Sequence, residues 1–96
     1  VTDGMLIVLS ECCLQLGIDN AFVSSLEERG LIRTVNQEST IYINAIELPR
    51  LEKIVRLHEE LEINIAGIEV VLDLTERIEN LQKAMTELEN RLRMYE

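Results

Sequence analysis

Leu57-His58-Glu59-Glu60-Leu61-Glu62-Ile63-Asn64-Ile65-Ala66-Gly67-Ile68-Glu69-Val70-Val71-Leu72-Asp73-Leu74 is the stretch on which the reading of this 96-residue chain turns. Leu61 closes one apolar helical face, Asn64 is a natural N-cap, and Ile65, Ile68, Val71 and Leu72 open the next face at helical spacing. From Val71 the apolar residues run on at Leu74, Ile78, Leu81, Met85, Leu88, Leu92 and Tyr95, in steps alternating three and four. Val71, Ile78, Met85 and Leu92 fall at heptad position a, and Leu74, Leu81, Leu88 and Tyr95 at d. A helix patterned in this way seeks a partner helix, and the rest of the chain is too short to supply one. The expectation is a homodimer. β-branched and Leu residues at a and d suit a parallel pair.

This pattern divides the chain into residues 1–74, a winged helix-turn-helix-like domain, and residues 75–96, a C-terminal coiled-coil dimerisation helix. The predicted fold class is mainly α with a small β wing. A domain of ~60 residues buries only about 60% of its unfolded surface, so dimerisation would relieve a marginal core.

Upstream, Met5–Leu9 is a short apolar run expected to be a strand. Ser10 is expected to cap a short helix whose buried face is Cys13, Leu14 and Leu16 and which Gly17 ends. Asp19 caps a second helix carrying Phe22, Val23 and Leu26, with Gly30 as its left-handed terminator. Two short helices joined by Gly17-Ile18-Asp19 make a helix-turn-helix. Leu31–Val35 and Thr40–Ile43 flank the polar turn Asn36-Gln37-Glu38-Ser39, which predicts a hairpin wing. Asn44 and Glu47 stand in the relation of a capping box. Pro49 then leaves two alternatives: a helix beginning near Leu48 with the proline in its first turn, or one kinked there. Its inner stripe is Leu51, Ile54, Val55, His58 and Leu61.

The net charge is −9. Residues 1–44 carry Asp3, Glu11, Asp19, Glu27, Glu28 and Glu38 against Arg29 and Arg33, a local balance of −4. Such a surface repels the phosphate backbone that supplies most nucleic-acid affinity and attracts a basic protein. The second helix of the helix-turn-helix should read the major groove, yet its outward residues are Asn20, Ser24, Glu27 and Glu28, with Arg29 alone at its end. This disfavours sequence-specific DNA binding. The basic set Arg29, Arg33, Arg50, Lys53 and Arg56 keeps a DNA-binding transcriptional regulator as the alternative.

Catalysis finds no support. His58 is the single histidine and lies on an apolar stripe, Cys12 and Cys13 are adjacent with no ligand spacing, and the glycines form no phosphate cradle. One cysteine is expected to be buried and the other half-buried. Neither an enzyme nor a metal or cofactor is expected. No apolar run approaches the ~20 residues that cross a bilayer and no leader-like pattern is present, so the expected location is cytoplasmic, without membrane association.

The order of strand, helix-turn-helix, wing, third helix, corner and long helix resembles the MerR-type winged-helix regulators. Gly17 to Leu31 lies over the pattern Gly-Val-Ser-Pro-x-Thr-Leu/Val-Arg-Tyr/His-Tyr/Trp-Glu-x-x-Gly-Leu, matching at Gly17, Val23, Glu27, Gly30 and Leu31. The family's DNA-contacting arginine falls on Ser24, its aromatic pair on Ser25 and Leu26, and Phe22 replaces its threonine. Leu6–Cys13, Arg56–Leu61, Ile63-Asn64 and Ala66–Leu72 further resemble the chaperone-modulator (CbpM) family, with Tyr42 where that family often has Trp. The resemblance to MerR-like proteins implies an antiparallel dimer. The CbpM likeness implies a modulator that binds the J-domain of a DnaJ-type (CbpA-like) co-chaperone and inhibits it by covering the basic helix that docks on Hsp70. The partner-binding candidates are then Glu11, Glu27, Glu28, Glu59, Glu60 and Asp73.

Overall fold

The computed structural model describes residues 4–95, so Asp3 and Glu96 lie outside the described residues. The chain runs β1 (Leu6–Val8), α1 (Leu9–Leu16), α2 (Asn20–Glu28), β2 (Val35–Gln37), β3 (Thr40–Asn44), a 3₁₀ turn (Ala45–Glu47), α3 (Leu48–Glu60) and α4 (Ile65–Met94). The three strands form an antiparallel sheet in the order β1-β3-β2, with Ile7 opposite Ile43 and Asn36 opposite Ile41. This is a winged helix-turn-helix with a long C-terminal helix. The expected 74/75 boundary falls within α4, which runs unbroken from the domain outward.

Every helix contributes to one core of Leu9, Cys12, Cys13, Val23, Leu26, Leu31, Ile32, Ile43, Leu51, Ile54, Ile68 and Leu72. The short α1 starts at Leu9, two residues earlier than a Ser10 cap would start it, and its N-cap Val8 makes no side-chain cap bond. Its buried stripe is Leu9, Cys12 and Cys13, with Leu16 packed against it, at the i, i+3, i+4, i+7 spacing of a helix face. That stripe leaves Leu14 exposed, contrary to expectation, and buries both cysteines.

Backbone capping sets the helix-turn-helix. The Asp19 carboxylate accepts from the Phe22 N–H at 2.8 Å. At the other end of α2, Gly30 N–H donates to Glu27 O and Leu31 N–H to Leu26 O, both at 2.9 Å, with Gly30 at φ 74°. These are the two bonds of a Schellman motif, and only glycine adopts that left-handed angle without strain.

Leu31 and Ile32 are not in a strand. They follow the motif directly and drop into the core, and this burial explains their apolar character. The wing is correspondingly shorter than expected on its first side. Its turn narrows to Glu38-Ser39, both at positive φ (52° and 69°), the φ pattern of a two-residue hairpin loop.

The Asn44 side chain accepts from the Ile46 N–H at 3.0 Å and starts the 3₁₀ turn, while the Glu47 carboxylate accepts from the Arg33 N–H at 3.4 Å. Helix α3 follows from Leu48 with Pro49 in its first turn, where the missing N–H costs nothing.

The corner between α3 and α4 depends on side chains. Glu62 takes a left-handed φ of 55° and swings the chain, so that Ile63 packs against the core and Leu61 is left exposed. The α3 stripe therefore ends at His58, and Ile63, beyond the helix, takes the place expected of Leu61. His58 Nδ1 bonds the Ile63 carbonyl at 3.0 Å, and the Ile63 N–H reaches Leu57 O at 3.2 Å. The Asn64 side chain accepts from Gly67 N–H at 2.8 Å and caps α4. A Cβ on Gly67 would lie 2.7 Å from Ile63 Cγ2 and 3.2 Å from Asn64 Oδ1. Alanine favours a helix interior over glycine by about 1 kcal/mol. Here the contact with a β-branched side chain outweighs that gain, so Gly67→Ala is expected to lower the urea midpoint. A midpoint raised by the substitution would contradict the packing of the corner.

Candidate interaction surface

In a helix-turn-helix the outward face of α2 is the reading surface. Val23 and Leu26 are buried beneath it, and Asn20, Ser24, Glu27 and Glu28 point to solvent. Ser24, at the position of the DNA-contacting arginine in the MerR pattern, is exposed and uncharged. Arg29 Nη1 lies 3.0 Å from Glu69 Oε1 and ties the end of α2 to α4, both side chains being about half exposed. The pair pins orientation and contributes at most about 1 kcal/mol. Arg50 Nε donates to Leu31 O at 2.7 Å, bracing the segment before the wing against α3. Two of the five basic residues in the DNA-binding alternative are thus engaged within the fold.

All six carboxylates expected to bind a partner are exposed: Glu11 on α1, Glu27 and Glu28 on α2, Glu59 and Glu60 at the end of α3, and Asp73 on α4. They do not form one cluster. Glu27 accepts from the Thr34 hydroxyl at 2.7 Å, which joins α2 to the wing's leading segment. Asp73 pairs with Arg77 at 3.2 Å along α4 and lines a groove of about 410 Å³ with Glu69, Glu76, Leu31 and Arg50. Glu59 lines a separate cleft, of about 350 Å³, beside the start of α2.

In that second cleft Phe22 and His58 meet with ring centroids 4.8 Å apart. Sequence reasoning assigned Phe22 and His58 to apolar stripes and Asp19 to a cap, so it did not unite them. The signal that was available is the exchange of the pattern's threonine for an aromatic at Phe22.

The stripe expected to dimerise is uncovered. Leu74, Ile78, Leu81, Met85, Leu88, Leu92 and Tyr95 are each exposed by half or more, while Val71, nearer the domain, is half-buried. Among the described residues no group of His, Cys, Asp and Glu is arranged to hold a metal ion, and no helix is long and apolar enough to cross a membrane.

The family model for MerR HTH family regulatory proteins matches residues 7–90. The chain belongs to the MerR HTH regulatory family. No curated protein matches it significantly. Within this MerR-type scaffold the reading helix presents hydroxyls and carboxylates where a DNA reader needs cations to hold the duplex.

The two cysteines are part of the support for that helix. Burial pushes both thiols above the ordinary value of 9.0, aided at Cys12 by Glu52 and at Cys13 by Cys12 and Asp19. A raised folded-state value favours the neutral thiol, and that stabilisation is complete below the unfolded value and lost as pH rises past it. Native protein at pH 8 is therefore expected to react with a thiol-specific disulfide reagent at least tenfold more slowly than urea-unfolded protein, with unfolding free energy declining above about pH 9. Equal labelling rates in the two states would contradict the burial.

Proposed function

We propose that this MerR-family protein acts on another protein: it is a homodimeric modulator that binds the J-domain of a DnaJ-type co-chaperone through carboxylates and inhibits its stimulation of Hsp70. The observation that carries the reading is the α2 face, which shows Ser24, Glu27 and Glu28 outward and has its one arginine, Arg29, held by Glu69. The likeness of Arg56–Leu61 and Ala66–Leu72 to the chaperone-modulator family supports the same partner. A carboxylate-bearing surface steers a basic helix into place and rejects acidic competitors, with affinity supplied by a few buried anchors.

The uncovered stripe on α4 supports the dimer. A single helix projecting from a small domain is marginal in water, and seven exposed apolar residues in one line call for a second copy. The stripe is symmetric about Lys83. An antiparallel pair therefore sets Val71 against the partner's Tyr95, Leu74 against Leu92, Ile78 against Leu88 and Leu81 against Met85, and uses every residue of the stripe. Leu81→Asp with Met85→Asp is expected to give a folded monomer by sedimentation, since both side chains are exposed within one chain. A dimer that persists would remove the α4 interface.

Binding is tested by calorimetry with a J-domain from the same organism. Exposed charge pairs contribute up to about 1 kcal/mol each, so paired reversals are the useful probes. Glu59→Lys with Glu60→Lys is expected to weaken binding about tenfold or more without lowering Tm, and Glu27→Lys with Glu28→Lys to weaken it as much while also giving up the bond from the Thr34 hydroxyl. Duplex DNA is expected to show no nanomolar specific affinity at physiological salt. Wild-type affinity in both double reversals, or a DNA sequence bound at nanomolar strength, would overturn the reading.

A further inference from the structure

We propose that the cleft between the start of α2 and the α3–α4 corner takes an arginine or lysine side chain from a basic segment of the partner protein. It is lined by half-buried Ile18, Phe22 and Ile65, by Ser25 and His58, and by exposed Ala21, Asp19 and Glu59, the last two bringing carboxylates to its rim. No lysine or arginine is among its lining residues. At about 350 Å³ it lies at the small end of ligand-site volumes and has room for a long side chain.

Each wall matches one part of such a side chain. An arginine or lysine has a long apolar stem and a charged head, and it buries the stem while keeping the head among polar groups. The isoleucines and Ala21 offer the stem a surface. Phe22 offers the head an aromatic ring, which attracts a cation over its face. The Phe22 ring packs against His58 in a tilted pair, centroids 4.8 Å apart and planes 38° apart, and His58 is itself fixed by its Nδ1 bond to Ile63 O. Asp19 uses Oδ1 to cap α2, and a carboxylate has lone pairs left for a cation. Glu59 is exposed at the rim of the cleft. The cleft is thus preorganised by the same contacts that build the corner, and preorganisation lowers the cost of binding.

This inference rests on the reading that the chain binds a basic protein segment, and it names the anchoring site of that interface. The charged variant is Asp19→Asn with Glu59→Gln, which removes both rim charges while asparagine keeps the N-cap. The steric variant is Ala21→Arg, which places a cation of the protein's own in the cleft from an exposed helical position.

Two measurements on the full chain test the site. A tetra-arginine peptide is titrated into the labelled protein and followed by amide chemical shifts. Shifts concentrated at residues 18–25 and 58–59, and lost in both variants, are expected. Shifts absent from these residues, or unchanged in the variants, would overturn the cleft. Calorimetry with the J-domain is then expected to show at least tenfold weaker binding for each variant at unchanged Tm. Affinity equal to wild type would remove the cleft as the partner's anchor. A peptide that seats in the cleft beside a J-domain that fails to bind wild-type protein would keep the cleft and reject the co-chaperone as its partner.

Discussion

The α3–α4 corner is the constraint on which the rest of the structure depends. Asn64 caps α4 through the Gly67 N–H, His58 holds the Ile63 carbonyl, and Gly67 leaves the space that Ile63 occupies. Ile68 and Leu72 follow on α4 and enter the core beside Leu51 and Ile54 of α3. The direction of the long helix, and so the position of its apolar stripe, is set at these few residues. Phe22 against His58 carries the same constraint to the start of α2, so the corner and the reading helix are oriented together.

On the proposed reading, that coupling gives the MerR scaffold a use without DNA. A duplex reader needs cations on the outward face of α2 and near the wing, because phosphate contacts supply most of the affinity. Here two of the arginines near that face are tied into the fold, Arg29 to Glu69 and Arg50 to the Leu31 carbonyl, while Arg33 is exposed. The exposed groups left on α2 are hydroxyls, an amide and carboxylates. In the proposed complex that face receives a convex basic helix, with the acidic charge steering the encounter and the cleft beside α2 giving it one fixed point.

The parts of the fold legible in the sequence were those written in local chemistry. Asp19, Gly17, Gly30 and Asn64 behave as their caps require, because each acts through bonds within a few residues of itself. The order of strand, helix pair, wing and long helix followed from them, and the family match over residues 7–90 agrees. What was misread depends on contacts distant in sequence. Leu14 looked like a core residue, but the face of α1 is chosen by what it packs on, and that face is Leu9, Cys12 and Cys13. Leu31 and Ile32 have strand chemistry because they are buried, with no ladder to join. Leu61 lost its place to Ile63 through the positive φ of Glu62, a conformation that glutamate rarely signals. Glu27 and Glu28 read as outward-facing and are exposed, yet that Glu59 and Asp73 line two different clefts follows from helix packing and has no linear signature.

On the reading proposed above, this member of the MerR HTH family regulates a protein and not a promoter. The most direct test is steady-state Hsp70 ATPase activity, stimulated by a J-domain co-chaperone from the same organism, with increasing amounts of this protein. The account predicts that stimulation falls to the unstimulated rate at saturation, with inhibition weakened as salt rises and the Debye length shrinks from ~10 Å at 0.1 M toward ~3 Å at 1 M. Stimulation that stays unchanged at saturating protein would contradict it.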